Sequence, residues 1–563
     1  MTSHKAAWIF LFSVFLMNNP AFAPTSELPR KAMASTADPH ATEAALSVLK
    51  KGGNAVDAAI AAQWVLNVVE PQSSGIGGGG FFVYYEAATG KVFAFDGRET
   101  APAKAFPEMF LDKSGNPYPF WPERITGGLP VGVPGLLKLL KTVHARFGSN
   151  KVSFDKLFAP AIEIAEQGFP LPERVAKTIV KEEARLRLFP DTRKLLFDKN
   201  GKPLKAGDRL VQKDLAKTFR TIAAEGIDVF YEGAIGKDLV RAVRKSPFHP
   251  GLMTLEDLSR YEVIEREPVH GSYRGYEIWG MSPPSSGGPT VQATLNILEN
   301  FDWKALSAED RISLFAQAQR LAFIDRNRYL GDPAAMHFQL SEFISKERAK
   351  KLAARIDLKD ARKALSEEDS PVAEGTHTSH LSVTDEAGNM VAFTTTIEHL
   401  FGSGIVVPGR GFFLNNELTD FDAEPRNKKG DLMPNAPGAG KRPRSSMSPT
   451  FVFKDGKPFL VAGSPGGSKI IGTVLNVLVN VIDEGLPLQK AMEKPRMIDR
   501  DGPAELEEFS LSEEPHVSET LKARGFEVTT QEAIGNAQAI LFREDGVLEG
   551  ASDPRGIGEA AGY

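Results

Sequence analysis

A threonine at the junction between a polar linker and a strand pair constrains this chain more than any other feature. Residues 358–376 are polar and contain an acidic run, which indicates a surface linker, and Thr378 follows almost at once. Residues 381–385 and 390–396 are expected to be strands joined by a tight turn, with a further short strand at 411–415. The pattern is mostly helical before the linker and rich in strands after it. The sequence therefore predicts an α/β fold in which Thr378 begins a buried strand.

Thr378 is a candidate nucleophile. A threonine hydroxyl needs a base within hydrogen-bond reach, and a chain N-terminus can supply its own amine as that base. The α-amine has a reference pKa of about 7.7–8.0, so much of it can accept a proton near neutral pH. Thr396 ends the partner strand and is expected to hydrogen-bond the Thr378 hydroxyl. We therefore predict that the chain cleaves itself between His377 and Thr378; the alternative is an ordinary linker threonine.

Other polar residues could complete an acyl-transfer site. Gly466 and Gly467 open a helix, so they either offer backbone N–H groups to an oxyanion or simply cap that helix. A free α-amino acid would need donors for its carboxylate and acids for its ammonium group. The candidates for binding the carboxylate are Arg98, Ser445 and Ser446. The candidates for binding the ammonium group are Glu398, Glu417 and Asp420.

Composition and motif order exclude several other functions. The chain has no cysteine, which rules out disulfides and thiolate chemistry, and its net charge of −5 gives no indication of nucleic acid binding. The glycines at 75–80 lie between a helix and a strand, the wrong order for a dinucleotide site, and 463–468 lacks the Walker glycine. His377, His380 and His399 match no zinc motif, so we expect no metal and no cofactor; His380 is interpreted as structural.

The N-terminus has the layout of a secretory signal. Lys5 precedes an apolar run at 6–17, and the small-x-small sequence at 21–23 is a candidate cleavage site. The run of about 12 residues is shorter than the roughly 20 that a membrane-spanning helix needs. We expect residues 1–23 to be removed, with the cut at or shortly after Ala23, and the mature protein to be periplasmic or secreted with no membrane span. The alternative is an uncleaved anchor.

Ordered motifs along almost the whole chain after the signal resemble the γ-glutamyltranspeptidase (γ-glutamyltransferase) family of secreted bacterial enzymes. The motifs are 96–102 (DGRETAP), 283–288 (PPSSGG), 325–326 (DR), 330–333 (LGDP), 378–380 (TSH), 401–404 (FGSG), 414–417 (LNNE), 442–450 (RPRSSMSPT) and 463–467 (GSPGG). The resemblance implies an N-terminal-nucleophile hydrolase, a four-layer αββα sandwich with two stacked, mainly antiparallel sheets. It also implies a large subunit, 24–377, and a small subunit, 378–563, that remain associated as a heterodimer.

The resemblance further implies a role for each candidate residue. In the acyl-transfer step, the resemblance implies that Thr378 is the nucleophile and that Thr396 supports its hydroxyl group. It implies that Gly466 and Gly467 form the oxyanion hole. The resemblance implies that the α-carboxylate is held by Arg98, Ser445 and Ser446. It implies that the α-amino group is held by Glu417, Asp420 and Glu398. Transfer of the γ-glutamyl group to water is hydrolysis, and transfer to an amino acid or dipeptide is transpeptidation. Glutathione is the expected substrate. The chain would be the zymogen of a threonine-type enzyme that is both a hydrolase and an acyltransferase. The enzyme would act in glutathione metabolism and biosynthesis.

The sequence departs from the family pattern in three places. Ser379 replaces a usual threonine, Glu398 replaces a common asparagine and adds negative charge, and the segment between Asp422 and Lys441 is short for a lid loop. One alternative is a same-fold amidase for glutaryl-cephalosporins or poly-γ-glutamate; another is a secreted binding relative without catalysis. The complete set of acids favours γ-glutamyl substrates, because a buried acid without its ammonium partner is unfavourable.

Overall fold

Two antiparallel sheets packed face to face form the centre of the fold in a computed structural model that describes residues 31–364 and 377–563. In spatial order, the first sheet contains Glu559–Gly562, Met33–Thr36, Ser379–Thr384, Met390–Thr396, Gly79–Glu86, Lys91–Gly97 and Ile264–Arg266. The second contains Leu548–Ser552, Gln538–Phe542, Lys457–Gly463, Thr450–Lys454, Tyr276–Gly280 and Val269–Tyr273. Two small sheets comprise Met497–Ile498, Ala504–Glu507 and Val528–Gln531, and Phe169–Pro170 with Arg209–Leu210. Every pairing within the two large sheets is antiparallel.

Helices cover the outer face of each large sheet. Those of the N-terminal part are Pro39–Lys50, Ala55–Val69, Leu136–Phe147, Ala159–Gln167, Glu173–Lys181, Glu183–Leu186, Pro190–Leu196, Lys213–Glu225, Asp228–Tyr231, Ala234–Arg244 and Leu255–Ser259. Those that follow are Gly287–Leu298, Ala308–Tyr329, Leu340–Phe343, Lys346–Ala353, Lys469–Ile482, Leu488–Glu493, Ser510–Glu513 and Pro515–Ala523. Short 3₁₀ or π turns lie at Phe120–Arg124, Phe154–Phe158, Trp303–Ala305, Pro333–Ala335, Ala361–Ala364 and Glu417–Asp420.

Alternation along one central strand explains the four layers. In Gly79–Glu86, successive side chains point to opposite faces of the sheet. Phe82 and Tyr84 belong to the core under the N-terminal helices, whereas Phe81 and Val83 belong to the core shared with the second sheet and its helices. The ring of Tyr85 meets that of Phe453, from the second sheet, at 5.0 Å between centroids. The predicted αββα sandwich is therefore confirmed.

Glycines bring the chain close to the strand that carries Thr396. Helix Ala55–Val69 begins with a capping box between Asn54 and Asp57, and all of its residues are buried, which explains its nearly continuous apolar sequence. After it, a Cβ atom at Gly78 would lie 2.1 Å from the carbonyl oxygen of Thr396. The glycine run thus allows two backbone segments to approach each other closely.

One predicted strand is absent, and two predicted segments lie wholly or partly outside the described residues. The strand predicted at 411–415 is wrong: the segment makes only isolated bridges, Phe413 with Val406 and Leu414 with Gly77. Adjacent residues thus pair with two different segments and form no continuous ladder. The signal at 1–23 and most of the linker, residues 365–376, lie outside the described residues. Within 31–364 and 377–563, none of the helices is both long enough and apolar enough to cross a bilayer.

We predict that Gly78→Ala destabilises the protein by at least about 1–3 kcal/mol, because the new methyl group overlaps the Thr396 carbonyl and the core has no room to relax. Thermal unfolding would show a lower midpoint. Gly502→Ala is the control, since nothing lies within 4 Å of its Cβ position and its φ is not left-handed. Equal midpoints for the two variants would contradict the close approach.

Candidate active site

The register of one strand pair brings Thr396 to Thr378. Ser379 pairs with Thr395 in the antiparallel ladder, so the next positions, Thr378 and Thr396, stand opposite each other. In this uncleaved chain, Thr396 Oγ1 donates to the carbonyl oxygen of His377 at 2.9 Å and accepts from the backbone N–H of Glu398 at 2.8 Å. The carbonyl next to Thr378 is therefore polarised by a hydroxyl group that the backbone holds in place.

A small cavity of about 20 Å³ brings the predicted site residues together. Its lining includes nine of the ten predicted residues: Arg98, Thr378, Thr396, Glu398, Glu417, Asp420, Ser445, Ser446 and Gly467. The tenth, Gly466, precedes Gly467, and Met447 and Ile470 complete the wall. Thr378 is only 6% exposed, so its hydroxyl lies in a largely water-excluded site. Residues from five separate segments of the chain thus converge on one threonine.

Arg98 lines the cavity and forms buried ion pairs there. Its guanidinium donates to both Glu417 and Asp420, to the carbonyl oxygen of Pro443 at 3.2 Å, and to that of Arg444 at 3.1 Å. Burial opposes its charge, but Glu417 and Asp420 outweigh burial and raise the pKa of Arg98. The residues expected to hold a carboxylate and an ammonium group therefore neutralise one another here.

Acids outnumber cations around this site. Burial raises the pKa of Glu417 to about 7 against the opposing charge of Arg98, and burial together with Glu417 raises the pKa of Glu99 well above its usual value. Burial, followed by Asp420 and Glu417, also raises the pKa of Glu398 well above its usual value. Neither carboxyl oxygen of Glu398 receives a hydrogen bond within the described part of the chain. Such an excess of buried acid favours binding of a positively charged group.

The backbone of Ser445 and the hydroxyl group of Ser446 are held by a neighbouring loop and an arginine. Ser286 Oγ donates to the carbonyl oxygen of Ser445 at 2.6 Å and accepts from Arg326 Nε at 2.8 Å. Arg326 also donates to Ser446 Oγ at 2.7 Å. Arg326 and Ser286 belong to motifs visible in the sequence, but their support of the serines was not predicted. The loop at 283–288 and Arg326 together therefore hold the Ser445 backbone and the Ser446 hydroxyl group in place.

Gly466 and Gly467 have the geometry expected of backbone donors. Their φ values are +136° and +59°, which glycine adopts without strain, and helix Lys469–Ile482 begins immediately afterwards. Neither N–H group is a donor in the hydrogen bonds of the described residues. Two free N–H groups just before a helix N-terminus can stabilise negative charge that develops near Thr378.

A buried layer behind the cavity was missed by sequence reasoning. His399 Nε2 lies 3.4 Å from Glu182, which accepts from Arg185 Nε at 2.9 Å. Arg185 also donates to the carbonyl oxygen of Gly402 at 2.7 Å and so anchors the loop that carries Glu398. Glu398 has φ of +79°, an uncommon conformation for a residue with a side chain. No local sequence signal connects residues so far apart in the chain.

The three histidines considered for a metal do not form a site. His380 is fully buried, with Nδ1 2.8 Å from Thr394 Oγ1 and Nε2 3.2 Å from Ser382 Oγ, and burial lowers its pKa to about 3. This agrees with its interpretation as a structural histidine. Within the described residues, no group of three potential protein ligands is positioned to hold a metal ion.

The fold and this cavity define a class of enzyme. A threonine at the start of a central strand of an αββα sandwich, with backbone donors and buried binding groups around it, defines an N-terminal-nucleophile hydrolase. The chain matches the profile of the Gamma-glutamyltranspeptidase family over residues 41–563. It is 40% identical over 546 residues to the glutathione hydrolase proenzyme of Escherichia coli (strain K12), an alignment that covers 95% of this chain and 92% of the relative.

Solved structures of other proteins are similar to this chain and support the same class of enzyme. The cephalosporin acylase of Bacillus halodurans superposes with a TM-score of 0.81 at 28% identity, covering 97% of this chain and 99% of the other. A chain of Helicobacter pylori gamma-glutamyltranspeptidase superposes with a TM-score of 0.54 at 40% identity, covering 57% of this chain and 90% of the other. This protein belongs to the γ-glutamyltranspeptidase family of enzymes.

We predict that Arg98→Met destabilises the protein by about 3–5 kcal/mol, because it leaves Glu417 and Asp420 buried without their cation. The loss should be larger at about pH 8 than at about pH 6. Arg98 opposes the effect of burial on the pKa of Glu417, so its removal should raise that pKa further in the folded variant. An acid with a raised native pKa binds more protons in the native state than in the unfolded state, so the variant loses more stability than the wild type as pH rises. Denaturant unfolding at both pH values measures the effect.

The control for this variant is Arg260→Met. Arg260 lies 2.6 Å from Glu256, but their side chains are 78% and 66% exposed, so the expected change is about 0–1 kcal/mol at either pH. A destabilisation of Arg98→Met that is equally small would show that the buried acids need no internal counter-ion.

Proposed function

We propose that this protein is the proenzyme of a γ-glutamyl hydrolase and transferase that cleaves itself between His377 and Thr378. The observation that carries the proposal is the contact between Thr396 Oγ1 and the carbonyl oxygen of His377, beside the Thr378 hydroxyl. Self-cleavage requires a nucleophile next to a polarised carbonyl, and this geometry supplies both. The products would be a large subunit, 24–377, and a small subunit, 378–563, held together by strand pairing within both large sheets.

Cleavage would give Thr378 a free amine that serves as its base. Thr378 Oγ then attacks the γ-glutamyl carbonyl and expels the amine of the leaving group, which forms an acyl-enzyme. The N–H groups of Gly466 and Gly467 stabilise the oxyanion, and Thr396 orients the nucleophile. Water completes hydrolysis; the amine of an amino acid or dipeptide completes transpeptidation. None of these steps requires a metal or another cofactor.

The charges around Arg98 support a free amino-acid head group as the part of the substrate that is recognised. Its carboxylate would pair with Arg98 and with the hydroxyl groups of Ser445 and Ser446. Its ammonium group would pair with Glu417 and Asp420, which now pair with Arg98, and with Glu398. The proenzyme of E. coli is named for glutathione hydrolysis, and glutathione is the proposed substrate here, together with other γ-glutamyl amides.

The proposed cellular setting follows from the N-terminal sequence. Removal of residues 1–23 as a signal would place the enzyme in the periplasm or outside the cell. A second candidate function is hydrolysis of glutaryl amides, and the similarity to a cephalosporin acylase favours testing it. A glutaryl group lacks the ammonium group, so it would leave Glu417, Asp420 and Glu398 without a partner.

We predict that Thr378→Ala stays a single chain and loses γ-glutamyl anilide hydrolysis by about 10³-fold or more. Thr378→Ser keeps a hydroxyl group and should still be cleaved. Intact mass and N-terminal sequencing of the purified proteins measure cleavage directly. A wild-type protein that stays uncleaved and inactive would support the non-catalytic binding relative instead.

We predict that kcat/KM is at least about 100-fold higher for a γ-glutamyl anilide than for the matched glutaryl anilide, because the glutaryl group leaves the buried acids unpaired. Asp420→Asn should narrow this ratio by about tenfold, mainly through KM for the γ-glutamyl substrate. Glu544→Gln is the control, since the Glu544 side chain is 89% exposed. Equal rates for both anilides would identify an acylase.

A further inference from the structure

The uncleaved chain lacks the base that the mature enzyme would use. In the mechanism proposed above, the free amine of Thr378 accepts the proton of its own hydroxyl. Before cleavage, that nitrogen is part of the peptide bond to His377, and an amide nitrogen cannot accept the proton. The first reaction of the molecule, cutting its own chain, therefore requires a different base close to Thr378.

Few titratable groups share the cavity with Thr378. The acids in its lining are Glu398, Glu417 and Asp420, and the last two are engaged by Arg98. Glu398 is 3% exposed, and neither of its carboxyl oxygens receives a hydrogen bond from the described residues. A buried carboxyl group that forms no ion pair within the described residues, in the same small cavity as the nucleophile, is the simplest source of a base.

The neighbouring histidines fit the task less well. His380 follows Ser379 on the same strand, but both of its ring nitrogens face hydroxyl groups, and burial lowers its pKa to about 3. His399 faces Glu182 behind the cavity and does not line it. Burial also lowers the pKa of His377 well below its usual value. Glu398 is therefore the candidate that the structure leaves.

We propose that Glu398 is the general base of self-cleavage, taking the proton of the Thr378 hydroxyl directly or through one water molecule enclosed in the cavity. A cavity of about 20 Å³ is large enough for one water, which needs roughly 10–15 Å³ and two or more polar partners. Thr378, Thr396 and Glu398 supply those partners. A general base can also take a proton through one intervening water molecule.

Transfer of the His377 acyl group from nitrogen to oxygen needs only these groups, and water enters afterwards. Thr378 Oγ forms a bond to the carbonyl carbon of His377 while its proton passes to Glu398. Thr396 Oγ1 donates to the resulting oxyanion, and the Glu398 N–H in turn holds the Thr396 hydroxyl. The C–N bond then breaks as the Thr378 nitrogen takes the proton back from Glu398, leaving an ester between His377 and Thr378. A water molecule hydrolyses the ester to a carboxylate on His377 and a free hydroxyl group on Thr378.

The pH at which Glu398 can act as a base depends on charges from several elements. Burial raises its pKa most, and Asp420 and Glu417 raise it further; Asn416 and Thr419 favour the charged form. Arg124, in the turn Phe120–Arg124, and Arg185, behind the loop, are the cations influenced by Glu398. Glu398 should therefore keep its proton to a higher pH than an ordinary carboxyl group. Self-cleavage should accelerate as rising pH removes that proton.

The test measures self-cleavage separately from γ-glutamyl turnover. The full chain is made by brief cell-free synthesis and moved into buffers from about pH 5.5 to about pH 9. Samples are then quenched over time for gel and intact-mass analysis. We expect the wild-type rate to rise with pH, and Glu398→Gln to slow cleavage by about 10²-fold or more and to abolish that rise. A Glu398→Gln variant with the wild-type rate and profile would overturn the proposal.

Two further variants sharpen the result. Glu70→Gln changes another buried glutamate, which accepts a hydrogen bond from Ser379 at 2.7 Å, and it should keep the rise of rate with pH. Loss of the rise in Glu70→Gln but not in Glu398→Gln would assign the base to Glu70 and overturn the proposal. If Glu398→Gln fails to fold in a thermal melt, Glu398→Asp decides. It should be slowed at least about tenfold but keep its pH dependence, and an unchanged rate refutes the role.

The inference rests on the proposed function, and the two fail in different ways. A wild-type chain that never cleaves removes the proposed function itself. A wild-type chain that cleaves normally, together with Glu398 variants that cleave as fast, removes only the role of Glu398.

Discussion

The antiparallel register between Ser379–Thr384 and Met390–Thr396 is the constraint on which the rest of the site depends. Because Ser379 pairs with Thr395, Thr378 and Thr396 must stand opposite each other at the end of the ladder. A slip of one residue would turn every side chain of the strand to the other face of the sheet. Both faces are buried here, one under the N-terminal helices and the other under the second sheet, so no alternative register is compatible with the core. The core therefore holds the nucleophile in position.

A second constraint comes from charge. Arg98 is 1% exposed and lies between two acids, while Glu99 and Glu398 add two more carboxyl groups nearby. Burying so many ionisable groups is unfavourable unless they pair or stay protonated, and the raised pKa values of Glu99, Glu398 and Glu417 show the second response. Buried charges and strained backbone, as at Glu398, are usual where a protein prepares a binding or catalytic site.

Local patterns predicted the elements, and the resemblance predicted the residues around the nucleophile. Helix Ala55–Val69 and the strand pair after Thr378 were predictable because a capping asparagine, apolar runs and a tight turn are local signals. The prediction of a strand at 411–415 was wrong because a short apolar run does not show which segments its residues pair with, and Phe413 and Leu414 pair with two different ones. The ion pairs of Arg98 with Glu417 and Asp420 could not be predicted either, since they join residues more than 300 positions apart. The same holds for Glu182 beside His399.

The mutual pairing of Arg98 with Glu417 and Asp420 bears on the ligand that the cavity can accept. A ligand with only a carboxylate would add negative charge to a site that already has an excess of acid. A zwitterionic head group adds no net charge: its carboxylate can replace the acids as partners of Arg98, and its ammonium group can replace Arg98 as the partner of the acids. Each buried ion keeps a counter-ion throughout this exchange. A free α-amino acid head group is thus the ligand class that the internal ion pairs already match.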